Sequence, residues 1–231
     1  MKKSLITALL CLTFMSCSNK TEIELPQDVT FSIGIQLPQS GSMTKNAADI
    51  YSDFYSNYIA TKTLIPEDYS ITIYKEGESI GNDYRGKWDA DLITLAEGTY
   101  KIVGVSKGDF SKASLKFEEN VVITKNTTSI KLNAIYDCYM LFFKMADFTS
   151  VSVSCDSSLT SGASTSESLP TTDAIHYIFL PYRNARGISY TTINKDSGYT
   201  SLSNYTFEKG KYYMFDIVQG EIVIPPMTQG N

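Results

Sequence analysis

The chain has 231 residues, 20 basic and 25 acidic side chains and a net charge of −5, which fits one large or two small domains. An acidic chain without a basic run argues against nucleic acid or an anionic lipid surface as a partner. Only 19% of the residues are charged, whereas Tyr and Phe number 16 and 11. Because long stretches rich in helix-favouring residues are also missing, the composition predicts an all-β protein.

The N-terminus has the form of a lipoprotein signal. A basic start at Lys2 and Lys3 precedes an apolar run over residues 5–14, and Cys17 closes the segment. The run is too short for a membrane-spanning helix, which needs roughly 20 residues, so we predict a cleaved signal peptide over residues 1–16. Cys17 then becomes the lipidated first residue of the mature chain, followed by a tether to residue 28. Cleavage elsewhere, with Cys17 as an ordinary thiol, is the alternative.

Alternation of apolar and polar residues predicts a series of strands. The clearest alternating runs, in chain order, cover residues 29–35, 69–74, 121–124 and 128–132. The run over residues 174–180 is apolar throughout, which is typical of a strand buried on both faces.

Two segments depart from the strand pattern. Between residues 47 and 60, the positions of Tyr51, Phe54, Tyr55 and Tyr58 follow the spacing of one helical face. We expect this aromatic face to pack against the first sheet rather than to bind a ligand. Residues 157–172 are polar and of low complexity, and they predict a long loop.

One pattern occurs twice at an offset of 112 residues, from residues 95–105 to residues 207–217. In each copy a glycine, Gly98 or Gly210, is followed two residues later by a tyrosine that opens a strand. The glycine supplies the positive φ that a tight turn needs. Two such copies predict two β-sandwich domains in tandem, of transthyretin or immunoglobulin type, over residues 29–135 and 136–231.

The second copy has less chain after it than the first. Only a strand over residues 221–224 fits before Pro225 and Pro226, which cannot donate hydrogen bonds to a ladder. We therefore predict an incompletely paired edge in the second domain. Such an edge is the usual acceptor for a strand that another protein adds.

Residues that could carry catalysis are scarce. The single histidine, His176, lies inside an apolar strand, where we expect a structural role, and no glycine-rich phosphate loop, zinc cysteine pair or dinucleotide motif occurs. Asp83, Asp89 and Asp91 are close in sequence, but their spacing fits no calcium loop and Arg85 opposes a bound cation. We predict no enzyme activity, no metal site and no cofactor.

Two cysteines remain once Cys11 is assigned to the signal and Cys17 to the lipid. If a two-residue turn over residues 146–147 joined their strands, Cys138 and Cys155 would face each other across a hairpin, close enough to bridge. Export to an oxidising compartment permits that disulfide. Two buried free thiols are the alternative, and the sequence leaves both open.

Trp88 and Tyr84 are close together in a loop-like segment. Exposed aromatic rings can stack on sugars, so the pair is a candidate ligand-facing surface, with capping of the sandwich as the alternative. A surface like this would suit a glycan-binding lipoprotein of a polysaccharide-uptake system.

Several features together resemble the fimbrillin-like lipoproteins of Bacteroidetes. They are the signal that ends at Cys17, the strand opened by Gly98 and Tyr100, the all-β remainder and the C-terminal segment over residues 207–227. The resemblance implies two transthyretin-like sandwich domains and a surface-exposed lipoprotein anchored in the outer membrane. It also implies a pilus or adhesin subunit that joins other surface proteins by strand exchange.

One departure from that family bears on the role of the chain. Its pilins are cut by an arginine-specific protease near the mature N-terminus, whereas the first arginine here is Arg85. Unless cleavage at Lys20 or Lys45 replaces that step, Cys17 is retained. We therefore expect an anchor or accessory subunit, and the glycan-binding lipoprotein is the alternative function.

Overall fold

Strands dominate the structure. The computed structural model of the chain describes residues 26–38, 48–87, 92–156, 164–181, 184–218 and 221–223. It is 58% strand and 6% helix, which confirms the prediction of an all-β sandwich fold. Residues 1–25, with the predicted signal, Cys17 and most of the tether, lie outside the described residues.

The first sandwich is built from the strands before residue 137. They are β1 (Asp28–Gln36), β2 (Asp68–Lys75), β3 (Asn82–Lys87), β4 (Leu92–Ala96), β5 (Gly98–Ser106), β6 (Leu115–Ile123), β7 (Ser129–Asn133) and β8 (Ile135–Tyr136). One sheet has the strand order β4-β1-β7, and the other has the order β3-β2-β5-β6-β8. Their inner faces form one apolar cluster around Phe31, Ile71 and Ile102, each at most 1% exposed.

The second sandwich uses the strands from residue 139 onward. They are β9 (Tyr139–Lys144), β10 (Phe148–Asp156), β11 (Ser164–Ser168), β12 (Ile175–Leu180), β13 (Ala185–Thr192), β14 (Ser197–Ser201), β15 (Tyr212–Val218) and β16 (Glu221–Val223). The sheets have the orders β12-β9-β15-β16 and β11-β10-β13-β14. Leu141, Val153 and Phe215 are fully buried between them.

The two sandwiches share one topology, because β1 to β7 match β9 to β15 one for one. β1 and β9 each pair antiparallel with the fourth strand of their set and parallel with the seventh. β2 and β10 each lie between the third and fifth strands. The predicted duplication is confirmed, but its alignment is wrong. The offset of 112 residues matched β5 to β15, whereas β5 corresponds to β13 and β15 to β7.

The misalignment has a physical cause. Gly210 has a φ of +76°, so it does form the left-handed turn that the sequence predicts. A glycine turn followed by a tyrosine can open any strand, and it therefore marks no particular place in the topology. Tyr100 points into the core of the first sandwich, whereas Tyr212 lies on the outer side of the second.

A helix from the first sandwich covers the second one. α1 (Ala48–Phe54) continues into one π-helical turn (Tyr55–Ile59), so the predicted helix is confirmed. The ring of Tyr51 stacks on Tyr212 with 3.9 Å between centroids, and the ring of Phe54 lies 5.2 Å from that of Tyr177. The aromatic face therefore packs on the outer face of the sheet β12-β9-β15-β16. The prediction that it packs against the first sheet is wrong.

The helix covers this sheet because β9 and β12 are apolar on both faces. All six residues of β12 and five of the six in β9 are buried. Ile178 and Leu180 face the core between the sheets, whereas Tyr177 and Phe179 face the helix. Such a sheet needs a cover on each side. The two-faced burial predicted for residues 174–180 is confirmed, and α1 is the second cover.

The predicted loop over residues 157–172 is wrong in part. Residues 164–168 form β11, an edge strand that pairs with β10 from Ser152↔Ser168 to Asp156↔Ser164. A serine-rich segment can hold this position because backbone groups make the ladder and one side of an edge strand stays free of partners. Residues 157–163 lie outside the described residues.

The predicted hairpin between β9 and β10 is also wrong. After residue 144 the chain crosses to the opposite sheet, so β9 pairs with β12 and β15 while β10 pairs with β11 and β13. Cys138 and Cys155 therefore do not face each other in one ladder. Both are buried thiols outside any disulfide, and they belong to two different apolar clusters.

Replacing Phe54 by alanine should weaken the contact between α1 and the second sandwich. Phe54 is 1% exposed, so truncation leaves a cavity, and we expect the free energy of unfolding to fall by about 3–5 kcal/mol. Urea unfolding followed by circular dichroism measures the change. Ser52→Ala, at an exposed position of the same helix, is the matched control and should change stability by less than about 0.5 kcal/mol. A loss in Phe54→Ala no larger than in the control would contradict this packing.

Candidate functional site

The sheet beneath α1 has two edges, and the β12 edge is closed. The Tyr177 N–H donates to the Pro170 carbonyl at 3.1 Å, and the Phe179 N–H donates to the Phe110 carbonyl at 3.0 Å. Phe110 belongs to the segment between β5 and β6 of the first sandwich. Pro170 of the second sandwich and Phe110 of the first therefore occupy the backbone donors that a strand added to β12 would need.

Within the described residues, the opposite edge is covered only in part, because β16 pairs there with residues 216–218 of β15. On the other side of β15, the Met140 N–H of β9 donates to the Lys211 carbonyl at 3.1 Å. The odd-numbered residues of β15 therefore turn their backbone N–H and C=O groups toward β9. Tyr212 and Met214 consequently turn theirs outward. Among the described residues no strand lies beside these two, and we call residues 212–215 the β15 edge.

The β15 edge is apolar on both faces. Phe215 is fully buried inside the sandwich, where its ring stacks on Phe143 at 4.9 Å. On the other face, the ring of Tyr212 stacks beneath Tyr51 of the helix. A strand that paired here would extend a sheet already covered above and below, and its alternate side chains would find apolar neighbours on both sides. The chemistry that such an edge offers is backbone hydrogen bonding.

One carboxylate ties the turn before β15 to the first sandwich. Asp137 accepts a hydrogen bond from Lys209 Nζ at 2.7 Å and lies 3.7 Å from Lys116 Nζ on β6. Its backbone N–H donates to the Ser114 carbonyl at 2.9 Å. Both lysine side chains are about half exposed, so these ion pairs contribute little to stability. They fix where the β15 edge stands relative to the first sandwich.

β1, the strand nearest to the predicted anchor, is central in its sheet. Its first half pairs antiparallel with β4 and its second half pairs parallel with β7. Val29, Phe31 and Ile33 are all buried in the first core. The chain that runs back toward Cys17 therefore leaves from a strand that is fixed on both sides.

The candidate sugar-stacking pair stays a prediction. Trp88 lies outside the described residues, and of Tyr84 only the backbone is described, on β3, where it pairs with Ile71 of β2. The segment predicted as a loop is thus a strand up to residue 87. Because β3 is an edge strand of its sheet, any contact made there would lie at the side of the first sandwich.

The acidic cluster does not form a described site. Asp83 lies on β3, and its carboxylate accepts a hydrogen bond from the Thr72 hydroxyl at 2.7 Å. Asp89 and Asp91 lie outside the described residues. Within the described part of the chain, no group of three or more His, Cys, Asp or Glu side chains is placed to hold a metal ion.

The histidine is enclosed in the second sandwich. His176 is 5% exposed, and neither ring nitrogen has a hydrogen-bond partner among the described residues. Burial lowers its pKa because the imidazolium would lose its hydration, and the nearby carbonyls of Phe148 and Leu169 oppose this only in part. A ring so enclosed cannot meet a substrate.

A small cavity beneath α1 has no room for an organic ligand. It measures about 20 Å³ and is lined by Tyr51, Tyr136, Cys138 and Tyr212, among others. That volume holds about one water molecule. Burial raises the pKa of the Cys138 thiol to about 12, so the thiol is protonated at neutral pH and is a poor nucleophile.

The sequence matches no family model and no curated protein. The structure is similar to that of a candidate cell adhesion protein from Bacteroides uniformis, at 11% identity, over 85% of this chain and 95% of that one, with a TM-score of 0.51. A candidate cell adhesion protein from Bacteroides thetaiotaomicron matches at 10% identity over 80% of this chain and 90% of its own, with a TM-score of 0.48. A fimbrial assembly protein from Parabacteroides distasonis matches at 11% identity over 83% and 90%, with a TM-score of 0.42.

The Bacteroides uniformis match shows that the fold is shared, which is consistent with the predicted fimbrillin-like protein. In the described part of the chain, no helix is long and apolar enough to cross a bilayer.

The buried histidine predicts a loss of stability in mild acid. Because the pKa of His176 is lowered on folding, the unfolded chain takes up a proton first as the pH falls below about 6.5. The free energy of unfolding should then fall by up to about 1.4 kcal/mol per pH unit until the folded pKa is passed. Urea unfolding between pH 7.5 and pH 5 measures this slope.

His176→Leu should flatten the stability profile over that interval, and since the chain has one histidine, the difference between the two profiles reports this residue alone. Parallel profiles for the wild type and the variant would show that His176 is not buried in its neutral form.

Proposed function

We propose that this protein is an adhesive and structural lipoprotein of the cell surface, and an anchor or accessory subunit of a fimbrillin-like assembly. The observation that carries the proposal is the β15 edge, beside which the described residues place no strand, in a sheet whose other edge is closed. The shared fold with a candidate cell adhesion protein supports it. A protein of this kind acts by holding partners, and it needs no catalytic centre.

Anchoring follows from Cys17 and the charge of the chain. With a net charge of −5, the protein has no electrostatic attraction to an anionic bilayer, so membrane contact depends on the lipid. The ten residues between Cys17 and Asp28 can span at most about 35 Å. The first sandwich is therefore the one that stands nearest to the membrane.

The central position of β1 supports its retention. Cleavage at Lys45 would withdraw this strand from between β4 and β7, and with it Phe31 and Ile33 of the first core. The sandwich would then remain open until the strand of another protein filled the gap. An anchored subunit keeps β1, and its second sandwich supplies the site where a partner strand joins.

Cys17→Ser should release the protein from the outer membrane. Without the thiol no lipid is attached, and the acidic chain has no other means of membrane binding. We expect the wild type in the outer-membrane fraction, with a mature N-terminal peptide whose mass includes the lipid, and the variant in the soluble fraction. Cys138→Ser, which removes a thiol from the fold instead, is the control and should fractionate as the wild type. A wild-type N-terminus that begins beyond Lys20 would contradict the anchored role.

Met214→Pro should block strand addition at the β15 edge. Proline removes the outward backbone donor of Met214 and leaves the bonds between β15 and β9 in place. Met214→Ala loses the same side chain and keeps the donor, so it is the matched control. Cross-linking on cells followed by purification should recover partner proteins or further copies with the alanine variant and lose most of them with the proline variant. Equal recovery from two variants with equal melting temperatures would exclude this edge as the site.

A further inference from the structure

The outer face of the sheet β11-β10-β13-β14 carries hydroxyl groups in ordered rows. Serines stand there in cross-strand register, among them Ser152, Ser154, Ser166, Ser168, Ser189 and Ser201, and we call this surface the hydroxyl face. One row crosses all four strands, from Ser168 through Ser152 and Ser189 to Tyr199. Three strand spacings make this row about 14 Å long. At one end of the face, Asp156 and Arg186 form an ion pair and offset each other's charge.

The equivalent sheet of the first sandwich has a different character. β5 and β6 hold the positions of β13 and β14, and their outer residues include Lys101, Lys116 and Glu118. Lys101 and Glu118 form an ion pair at 2.6 Å. Polar side chains are usual on the solvent face of an antiparallel sheet, and charged ones keep sheets from associating. The second sandwich carries serines where the equivalent sheet of the first carries charged residues. This difference, within one topology, indicates a separate role for the hydroxyl face.

Tyr199 adds one aromatic ring to the hydroxyl face. A Cβ atom placed on Gly187 would lie 2.1 Å from Tyr199 Oη and 2.4 Å from its Cζ, so the ring lies across Gly187 on the backbone of β13. Tyr199 is nevertheless 62% exposed. One face of the ring therefore rests on the sheet, and the other faces solvent.

We propose that the hydroxyl face binds a neutral polysaccharide, with one sugar ring stacked on Tyr199 and the adjoining sugars hydrogen-bonded to the serine rows. The apolar C–H side of a pyranose ring fits against an aromatic face. Serine hydroxyls donate and accept hydrogen bonds, as sugar hydroxyls do. The row that ends at Tyr199 is long enough for a short run of sugar units.

The charges select the class of polysaccharide. The serines and Tyr199 are uncharged, the ion pair at the end of the face is balanced, and the chain as a whole carries −5. An acidic polysaccharide would be repelled by the acidic protein, whereas a neutral one meets no electrostatic repulsion. This inference rests on the proposed function, because it names the ligand class of an adhesive surface protein.

Affinity electrophoresis of the mature protein tests the proposal, in native gels that contain galactomannan, xyloglucan, glycogen or polygalacturonate. We expect the wild type to be retarded by at least one neutral polysaccharide and not by polygalacturonate. Tyr199→Ala should weaken binding about tenfold or more, as is usual when a stacking ring is removed. Tyr199→Phe keeps the ring and should keep most of the binding.

Gly187→Ala tests whether binding requires the Tyr199 ring to lie on the sheet, and not only that the ring is present. The added methyl group would collide with Tyr199 and force the ring off the sheet, so binding should fall as far as in Tyr199→Ala although the tyrosine remains. Tyr74→Ala, which removes a tyrosine from the outer face of β2 in the equivalent sheet of the first sandwich, is the matched control and should bind as the wild type. Equal melting temperatures show that each variant is folded.

Three results would overturn the proposal. The first is a wild-type protein that no neutral polysaccharide retards. The second is equal retardation of the wild type and Tyr199→Ala. The third is a wild-type dimer in sedimentation that Tyr199→Ala abolishes, while no gel retards either protein. The last result would make a second copy of the chain the occupant of this face. None of them touches the proposed function, which is tested at Cys17 and Met214.

Discussion

The structure depends on the burial of one sheet that is apolar on both faces. β9 and β12 send aliphatic and aromatic side chains to both sides, so two layers of strands alone would leave one of these faces in water. The third layer is α1, which belongs to the first sandwich in sequence. The two sandwiches therefore share one apolar cluster and should unfold together. The closed edge at β12 and the contacts of Asp137 lie at the same junction.

Local patterns predicted many of the elements, and they failed where the fold depends on distant partners. Alternation located β1 and β2, helical spacing located α1, and an unbroken apolar run identified β12 as buried on both faces. The same patterns could not say which sheet the helix covers, because the spacing within a helix reports its apolar face and not the partner that covers it. The hairpin between β9 and β10 failed for a related reason, since a short turn can equally cross from one sheet to the other.

The candidate site was predictable in part. Pro225 and Pro226 limit the last strand, and from this the sequence predicts the incompletely paired edge of the second sandwich. The closure of the β12 edge depends on a carbonyl of Phe110 in the first sandwich, which no local pattern reports. The hydroxyl face was missed because residues 157–172 have the composition of a loop. Its signal is the alternation of serine with apolar residues in β10, Val151 to Cys155, which predicts one buried and one hydroxylated face.

The pairing of β1 has a mechanical consequence for a protein held at its N-terminus. If Cys17 carries the proposed lipid anchor, a force on the second sandwich is resisted at the start of β1 and acts along that strand. The hydrogen bonds to β4 run across the strand, and those to β7 continue on the other side along its second half. Such a load shears the bonds together instead of opening them one after another. In the proposed anchored protein, β1 is thus placed to bear tension along its length.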